Sequence, residues 1–141
     1  MRNRTQQEFD EILENARDRK THQKQAIFEF LYTKKSPVYI YEIVRALPEI
    51  NRSTIYRVLD RFVSLGVAKR VARGFKTLYE IGEEFNQHHH HVICEKCHKT
   101  VAVNDDAMED LIHKITCSAG MRPTNHDVEL YGICVDCERI I

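Results

Sequence analysis

The chain has 141 residues, 43% of them hydrophobic and 30% charged, with a formal net charge of zero. That is enough for one ordinary domain or two very small ones, with the balance of a soluble globular protein. No apolar run approaches the length of a membrane span, and Met1-Arg2-Asn3-Arg4 leads into a polar helix rather than an apolar signal core, so a cytoplasmic protein is expected.

The zero charge hides a split. Residues 1–80 carry 16 Lys and Arg against 10 Asp and Glu, a net +6, whereas residues 81–141 carry 5 against 11, a net −6. All five cysteines and seven of the eight histidines also fall after residue 81. A basic half beside an acidic, ligand-rich half implies a polyanion-binding domain joined to a metal-binding one. The expected boundaries are 1–81, a connecting hinge at 82–87, and 88–141.

Residues 5–19 read as a helix, with Phe9, Ile12, Leu13 and Ala16 on one face. Thr21 is the expected cap of a second helix whose Ile27, Phe28, Phe30 and Leu31 enter a core. Ser36-Pro37 breaks the pattern, and a short third helix runs from about Tyr41 to Leu47 before Pro48. Asn51-Arg52-Ser53 offers caps for a fourth helix, about Thr54 to Leu65. Ile55, Val58, Leu59, Phe62 and Leu65 make its buried stripe, and Gly66 is its expected stop. The opposite face carries Thr54, Tyr56, Arg57, Asp60, Arg61 and Ser64.

After Gly66 the period falls to about two. Residues 67–72 and 75–81 flank Arg73-Gly74 and predict a hairpin with a tight turn. Helices followed by a basic hairpin predict a winged helix-turn-helix. Its exposed helix face, with Arg52, Ser53, Thr54, Tyr56, Arg57 and Arg61, would enter the major groove, and Lys76 in the wing would meet phosphates. The competing reading is a solvated basic face.

Residues 82–87 read as a polar connection. In the second half, Val92-Ile93-Cys94 and Thr100–Val103 predict paired strands, and Asn104 or Asp105 caps a helix to about Cys117 with Met108, Leu111, Ile112 and Ile115 inward. Residues 124–133 alternate as a third strand, placing His126, Val128 and Leu130 on one face. This is a small core, so metal and a partner subunit are expected to supply the shortfall.

Cys94, Cys97, Cys134 and Cys137 form two Cys-x-x-Cys pairs. Two such turns can close a tetrahedral cage round one structural Zn²⁺. A dithiol redox pair is a competing reading, as is haem attachment at Cys94–His98, which needs export. Cys117 reads as a small apolar residue near a helix end.

His88 to His91 would alternate across an extended segment, giving two sites rather than one. His88 and His90 would recruit Glu109 and His126, while His89 and His91 would recruit Glu80. Such nitrogen and oxygen sets admit Fe²⁺, Mn²⁺, Zn²⁺, Co²⁺ or Ni²⁺. Taken singly, His126 reads as a core histidine and Glu109 as a solvated helix residue; the cluster raises them.

Ser53–Leu59 (STIYRVL), His88–Cys97 (HHHHVICEKC) and Tyr131–Cys137 (YGICVDC) together resemble the ferric uptake regulator family, dimeric metal-dependent bacterial repressors. The likeness covers nearly the whole chain. It implies an α+β protein with a winged-helix domain followed by a small α/β dimerisation domain. It implies structural zinc at Cys94, Cys97, Cys134 and Cys137, a second metal site at His88, His90, Glu109 and His126, and a regulatory site at Glu80, His89 and His91. Tyr56 and Arg57 match DNA-contacting positions. The chain departs from the family pattern in four places. His90 stands where Asp is usual, Pro37 where a sensing histidine is common, and Ala102 where peroxide sensors carry an Asp ligand. No cysteine of the kind common in zinc sensors lies near Glu80. Iron and zinc both remain open as the regulatory metal, with Mn²⁺ admitted by the same ligands.

The leading expectation is a metal-responsive repressor of metal uptake and homeostasis genes, bound as a homodimer to a near-palindromic duplex operator. The alternatives are a zinc-dependent hydrolase and a zinc-stabilised interaction module that binds no DNA. A hydrolase needs an open coordination position and a general base, and the deaminase, nucleophile-elbow and phosphate-loop motifs are absent.

Overall fold

A computed structural model describes residues 2–140, with side chains from Arg4 onward; Met1, part of the leader read above, lies outside it. The chain divides into two units, Met1–Gln87 and His88–Ile141.

The first unit runs α1 (Arg2–Asn15), α2 (His22–Lys34), β1 (Val38–Tyr39), α3 (Ile40–Ala46), α4 (Arg52–Leu65), β2 (Ala68–Arg73) and β3 (Lys76–Ile81). Helix α1 stops four residues before the expected end. Arg17 adopts a left-handed φ of 52°, Asp18 N–H donates to Leu13 O and Arg17 N–H to Glu14 O. That is a Schellman stop made without glycine. Thr21 caps α2 through Lys24 N–H at 3.3 Å.

For α4, Asn51 Oδ1 accepts from Ser53 N–H at 3.0 Å, and Gly66 ends the helix at φ 75°. The apolar stripe read from the sequence goes inward: Ile55, Leu59 and Phe62 are fully buried. They meet an aromatic core in which Phe9 stacks on Phe28 at 4.0 Å and meets Phe62 edge-on at 5.7 Å.

The hairpin is antiparallel, but its turn residues are Gly74-Phe75 rather than Arg73-Gly74, because Arg73 pairs with Lys76. Strand β1 was not anticipated. It pairs Val38 with Tyr79 and Tyr39 with Leu78, making a sheet of order β1-β3-β2. Residues 82–87, expected as a polar hinge, belong to this unit. Gly82 N–H donates to Val67 O at 2.8 Å, and Phe85 is buried edge-on against Phe28 at 5.0 Å. Only glycine fits at position 82, since a Cβ there would sit 2.0 Å from Gly66 O.

The second unit runs β4 (His90–Cys94), β5 (Thr100–Val103), α5 (Asp106–Ser118), β6 (Glu129–Gly132) and α6 (Val135–Glu138). Its sheet has the order β5-β4-β6, antiparallel between β4 and β5 and parallel between β4 and β6, with α5 in the crossover. Asp105, not Asn104, caps α5 through Met108 N–H at 2.9 Å. Two expectations are corrected here. The third strand covers only Glu129–Gly132, so His126 lies outside it on the preceding segment. The inward stripe of α5 is only partly covered among the described residues: no α5 residue is buried, Met108 and Ile112 are half-buried, and Leu111 and Ile115 are more than half exposed. One thin sheet offers too little surface to bury a helix face.

Candidate metal centres and nucleic-acid interface

The four cysteines of the paired motifs converge. Their sulfur atoms lie within 4.8 Å of one another, and Cys97 Sγ to Cys134 Sγ is 3.7 Å. A tetrahedron with Zn–S bonds of about 2.3 Å has edges of about 3.8 Å, so thiolate chemistry and spacing both fit zinc. The turn after Cys94 is fixed by its own backbone. Cys94 N–H donates to Lys99 O, His98 N–H donates to Cys94 O, and His98 takes φ 62°. The Cys134 N–H points at Cys94 Sγ from 3.4 Å, which orients and stabilises a ligand sulfur. Backbone N–H groups, that of Cys97 first, hold the Cys94 thiol down to about 6. The crowd of sulfurs, Cys134 first, pushes Cys137 up to about 12. Four thiols cannot share so small a volume as thiolates without a cation. Cys117 stands apart from this cage, exposed on α5 with its sulfur 3.7 Å from His113 Nδ1.

The histidine run alternates as a strand requires. The rings of His88 and His90 are 4.7 Å apart on one side, and those of His89 and His91 are 4.9 Å apart on the other. The first pair meets the residues the sequence nominated. His90 Nε2 lies 2.6 Å from Glu109 Oε1, His126 Nε2 lies 2.9 Å from Glu109 Oε2, and the Nε2 atoms of His88 and His126 are 3.1 Å apart. All four ligand atoms lie within 4.8 Å of one another. Hydrogen bonding to His90, then the positive character of the other imidazoles, holds the Glu109 carboxyl below its usual range. This set of three nitrogens and one carboxylate suits a divalent transition metal. Val128 N–H donates to His90 Nδ1 at 3.2 Å, so a neutral His90 carries its proton on Nε2, facing Glu109.

Of the other three nominated ligands, Glu80 lies in β3 of the first unit, opposite Lys69. His91 is buried in β4, opposite Ala102 on one side and Glu129 on the other.

The nominated DNA residues occupy α4 and the wing. Arg57 Nη2 reaches Thr54 Oγ1 at 3.3 Å, Arg52 lies over the Tyr56 ring at 5.8 Å, and Ser53 Oγ bonds to the Asn51 cap at 2.7 Å. Arg61 differs from these. Its Nε is tied at 3.1 Å to Asp18, which also accepts from Lys24 Nζ at 2.6 Å. Arg61 is therefore a strut between the end of α1 and α4. Lys76 sits over the Tyr39 ring at 5.4 Å, and Tyr39 stacks on Tyr41. The Asp18 hub and the Tyr39–Tyr41 stack were not read from the sequence, because neither carries a local spacing signal.

The family model described as "Ferric uptake regulator family" matches residues 15–131. The ferric uptake regulation protein of Escherichia coli (strain K12) is 37% identical over 89 residues, 62% of this chain; the match spans 59% of that relative's length. The peroxide-responsive repressor PerR of Staphylococcus epidermidis is 35% identical over 134 residues, covering 89% of this chain and 85% of the relative. The Vibrio cholerae ferric uptake regulator has a similar structure, with TM-score 0.74 at 26% identity, over 89% of this chain and 98% of that one. With the family model matched over most of the chain and a relative 35% identical across 89% of it, the chain belongs to the ferric uptake regulator family.

Proposed function

We propose that the chain is a homodimeric, metal-dependent repressor that binds a near-palindromic operator and controls metal-ion uptake and homeostasis genes in the cytoplasm. The observation that carries this reading is the pairing, in one chain of this family, of a basic winged helix with two complete ligand clusters in the second unit. The half-exposed apolar stripe of α5 supports the dimer, and operator symmetry follows from protein symmetry. The relatives named above are regulators by name, so the hydrolase and interaction-module readings gain no support from them.

In this reading Cys94, Cys97, Cys134 and Cys137 hold structural zinc, and Glu80, His89 and His91 form the regulatory site for Fe²⁺ or Zn²⁺, with Mn²⁺ also admitted. His88, His90, Glu109 and His126 form the second site. Glu80 belongs to the last strand of the first unit, and the two histidines open the second. Ligation by all three ties the DNA-reading half to the dimerising half. When bound there, a divalent cation supplies the charge that these nitrogens and oxygens share. Such a tie can shift only an existing equilibrium between arrangements, by its differential affinity for them. Peroxide sensing is disfavoured, because Ala102 puts a methyl group directly across the ladder from His91.

Arg57, Tyr56, Thr54, Ser53 and Arg52 face DNA from α4, with Arg61 reduced to a phosphate contact through its exposed end and Lys76 acting from the wing. The test is a titration of duplex DNA with zinc-retaining protein, adding Fe²⁺, Mn²⁺ and Zn²⁺ separately at buffered concentrations. Affinity should rise with at least one metal. Arg57→Ala should lose about 1–3 kcal/mol on the preferred duplex only, while Lys76→Ala should weaken all duplexes alike. DNA binding indifferent to every metal would remove the sensing role.

A further inference from the structure

We propose that Phe75, at the tip of the wing, is an apolar wedge that enters the minor groove of the bound duplex and makes the protein select deformable base steps. This rests on the DNA-binding reading above and adds a residue to it. Phe75 is the most exposed large apolar side chain among the described residues, at 112% relative accessibility. Turn geometry does not require it. The two-residue turn calls for glycine at its first position, filled by Gly74 at φ 60°, and a polar residue serves as well at the second.

The support beneath the ring is stiff. Strands β2 and β3 pair without a break from Ala68↔Ile81 to Arg73↔Lys76, the last pair before the tip. The surroundings of the tip select a polyanion. Exposed Lys76 follows the turn and is steadied over Tyr39, itself stacked on Tyr41 at 5.4 Å, while Arg73 before the turn is buried. Farther from the tip, Asp60 pairs with Arg70 and Glu83 with Lys69. A wholly exposed aromatic ring beside an exposed cation fits duplex DNA better than an apolar protein groove, which would have to bury the Lys76 charge.

The reach is adequate. Six residues of strand extend about 20 Å. A half-turn of duplex, from the major groove read by α4 to the next minor groove, is about 17 Å. Apolar side chains entering there partly unstack one base step, which is easiest at pyrimidine–purine steps.

The experiment uses full-length, zinc-containing, metal-loaded protein. A duplex selected by the wild type from a randomised library is labelled with 2-aminopurine along the minor groove facing the wing. Wild type, Phe75→Ala, Phe75→Leu and Arg57→Ala are compared. Phe75→Ala should keep its zinc and dimer mass, lose the rise in 2-aminopurine fluorescence, and bind the selected duplex about tenfold more weakly. Phe75→Leu should retain most of both signals. The loss should shrink when the flexible step is replaced by a stiff one. Unchanged affinity and fluorescence in Phe75→Ala, with Arg57→Ala impaired, would remove the wedge and leave the repressor standing. A Phe75→Ala protein that loses its dimer would make the ring a subunit contact and end the proposal. A wild type that selects no duplex would end the DNA-binding reading and the wedge together.

Discussion

The two units solve the problem of stability in opposite ways. The first buries Phe9, Leu13, Ile27, Leu31, Ile43, Ile55, Leu59 and Phe62 in a core of helices backed by a small sheet. The second has Ile93 and Cys94 as its buried apolar residues and leaves Val101, Leu111, Ile115, Leu130, Tyr131 and Val135 in contact with solvent. What it has instead are two ligand clusters, at Cys94/Cys97/Cys134/Cys137 and at His88/His90/Glu109/His126. A unit of some fifty residues has little stability on so little apolar burial, and the proposed metal and second subunit would supply the rest. In the proposed reading, metal response follows from construction: the first unit has a core of its own, and the second depends on its ligands.

The sharpest way to break this comparison is to remove the cage. Chelation or Cys94→Ser should cost one zinc per chain, the dimer, and the strand signal of the second unit, while the helical signal of the first remains. Apparent zinc binding energies in small folds of about 10–16 kcal/mol exceed anything else such a unit has. Metal analysis, circular dichroism and sedimentation would show it. A zinc-loaded dimer in Cys94→Ser would refute the assignment. Cys117→Ser, outside the cage, should change little. The converse experiment is Phe9→Ala, which opens the aromatic stack and should destabilise the first unit by about 3–5 kcal/mol without altering zinc content.

How far the sequence revealed this difference depends on the reach of each signal. The stripe of α4, its Asn51 cap and its Gly66 stop were legible because they repeat within one or two turns. The cysteine and histidine clusters were legible because residue type limits their chemistry more than distance does. Helix α1 ended early because Arg17 takes the left-handed conformation, which a non-glycine residue does not announce. Strand β1 is two residues long, too short to show a period. His126 reaches its cluster from irregular chain, so its face could not be read from alternation. The exposure of α5 was invisible for another reason: an apolar stripe looks the same whether its own chain or a second copy covers it.

A smaller effect sharpens the contrast between the two sides of the histidine run. His89→Ala with His91→Ala should abolish metal-stimulated DNA binding and leave structural zinc and dimer intact. A coupling of about 1–3 kcal/mol per site corresponds to a loss of roughly 5- to 150-fold in metal-dependent affinity. By reciprocity, the duplex should tighten metal binding in the wild type. His88→Ala with His90→Ala should do less, since that pair faces Glu109 and His126 within one unit. Isothermal titration with and without duplex measures both. The opposite ranking would exchange the regulatory and second sites.

The smallest effect tests whether the first unit stands without metal. Asp18 joins the end of α1 to α2 and α4 through Lys24 and Arg61. The Lys24 hydrogen bond, with Arg61 adding to it against the opposing cost of burial, holds the Asp18 carboxyl below its usual range. A carboxyl whose folded pKa lies below its unfolded value, near 4, stabilises the protein above that value. The contribution is lost as pH falls through the folded pKa. Asp18→Asn should therefore cost about 1 kcal/mol at neutral pH, most of it through Lys24, because the Arg61 side chain is 44% exposed and screened. The difference between variant and wild type should vanish in strong acid. Acid also releases zinc, but from both proteins equally, so the comparison isolates the hub. Paired urea titrations across the acid range decide it. A difference independent of pH would mean that Asp18 acts by shape and backbone capping rather than by charge.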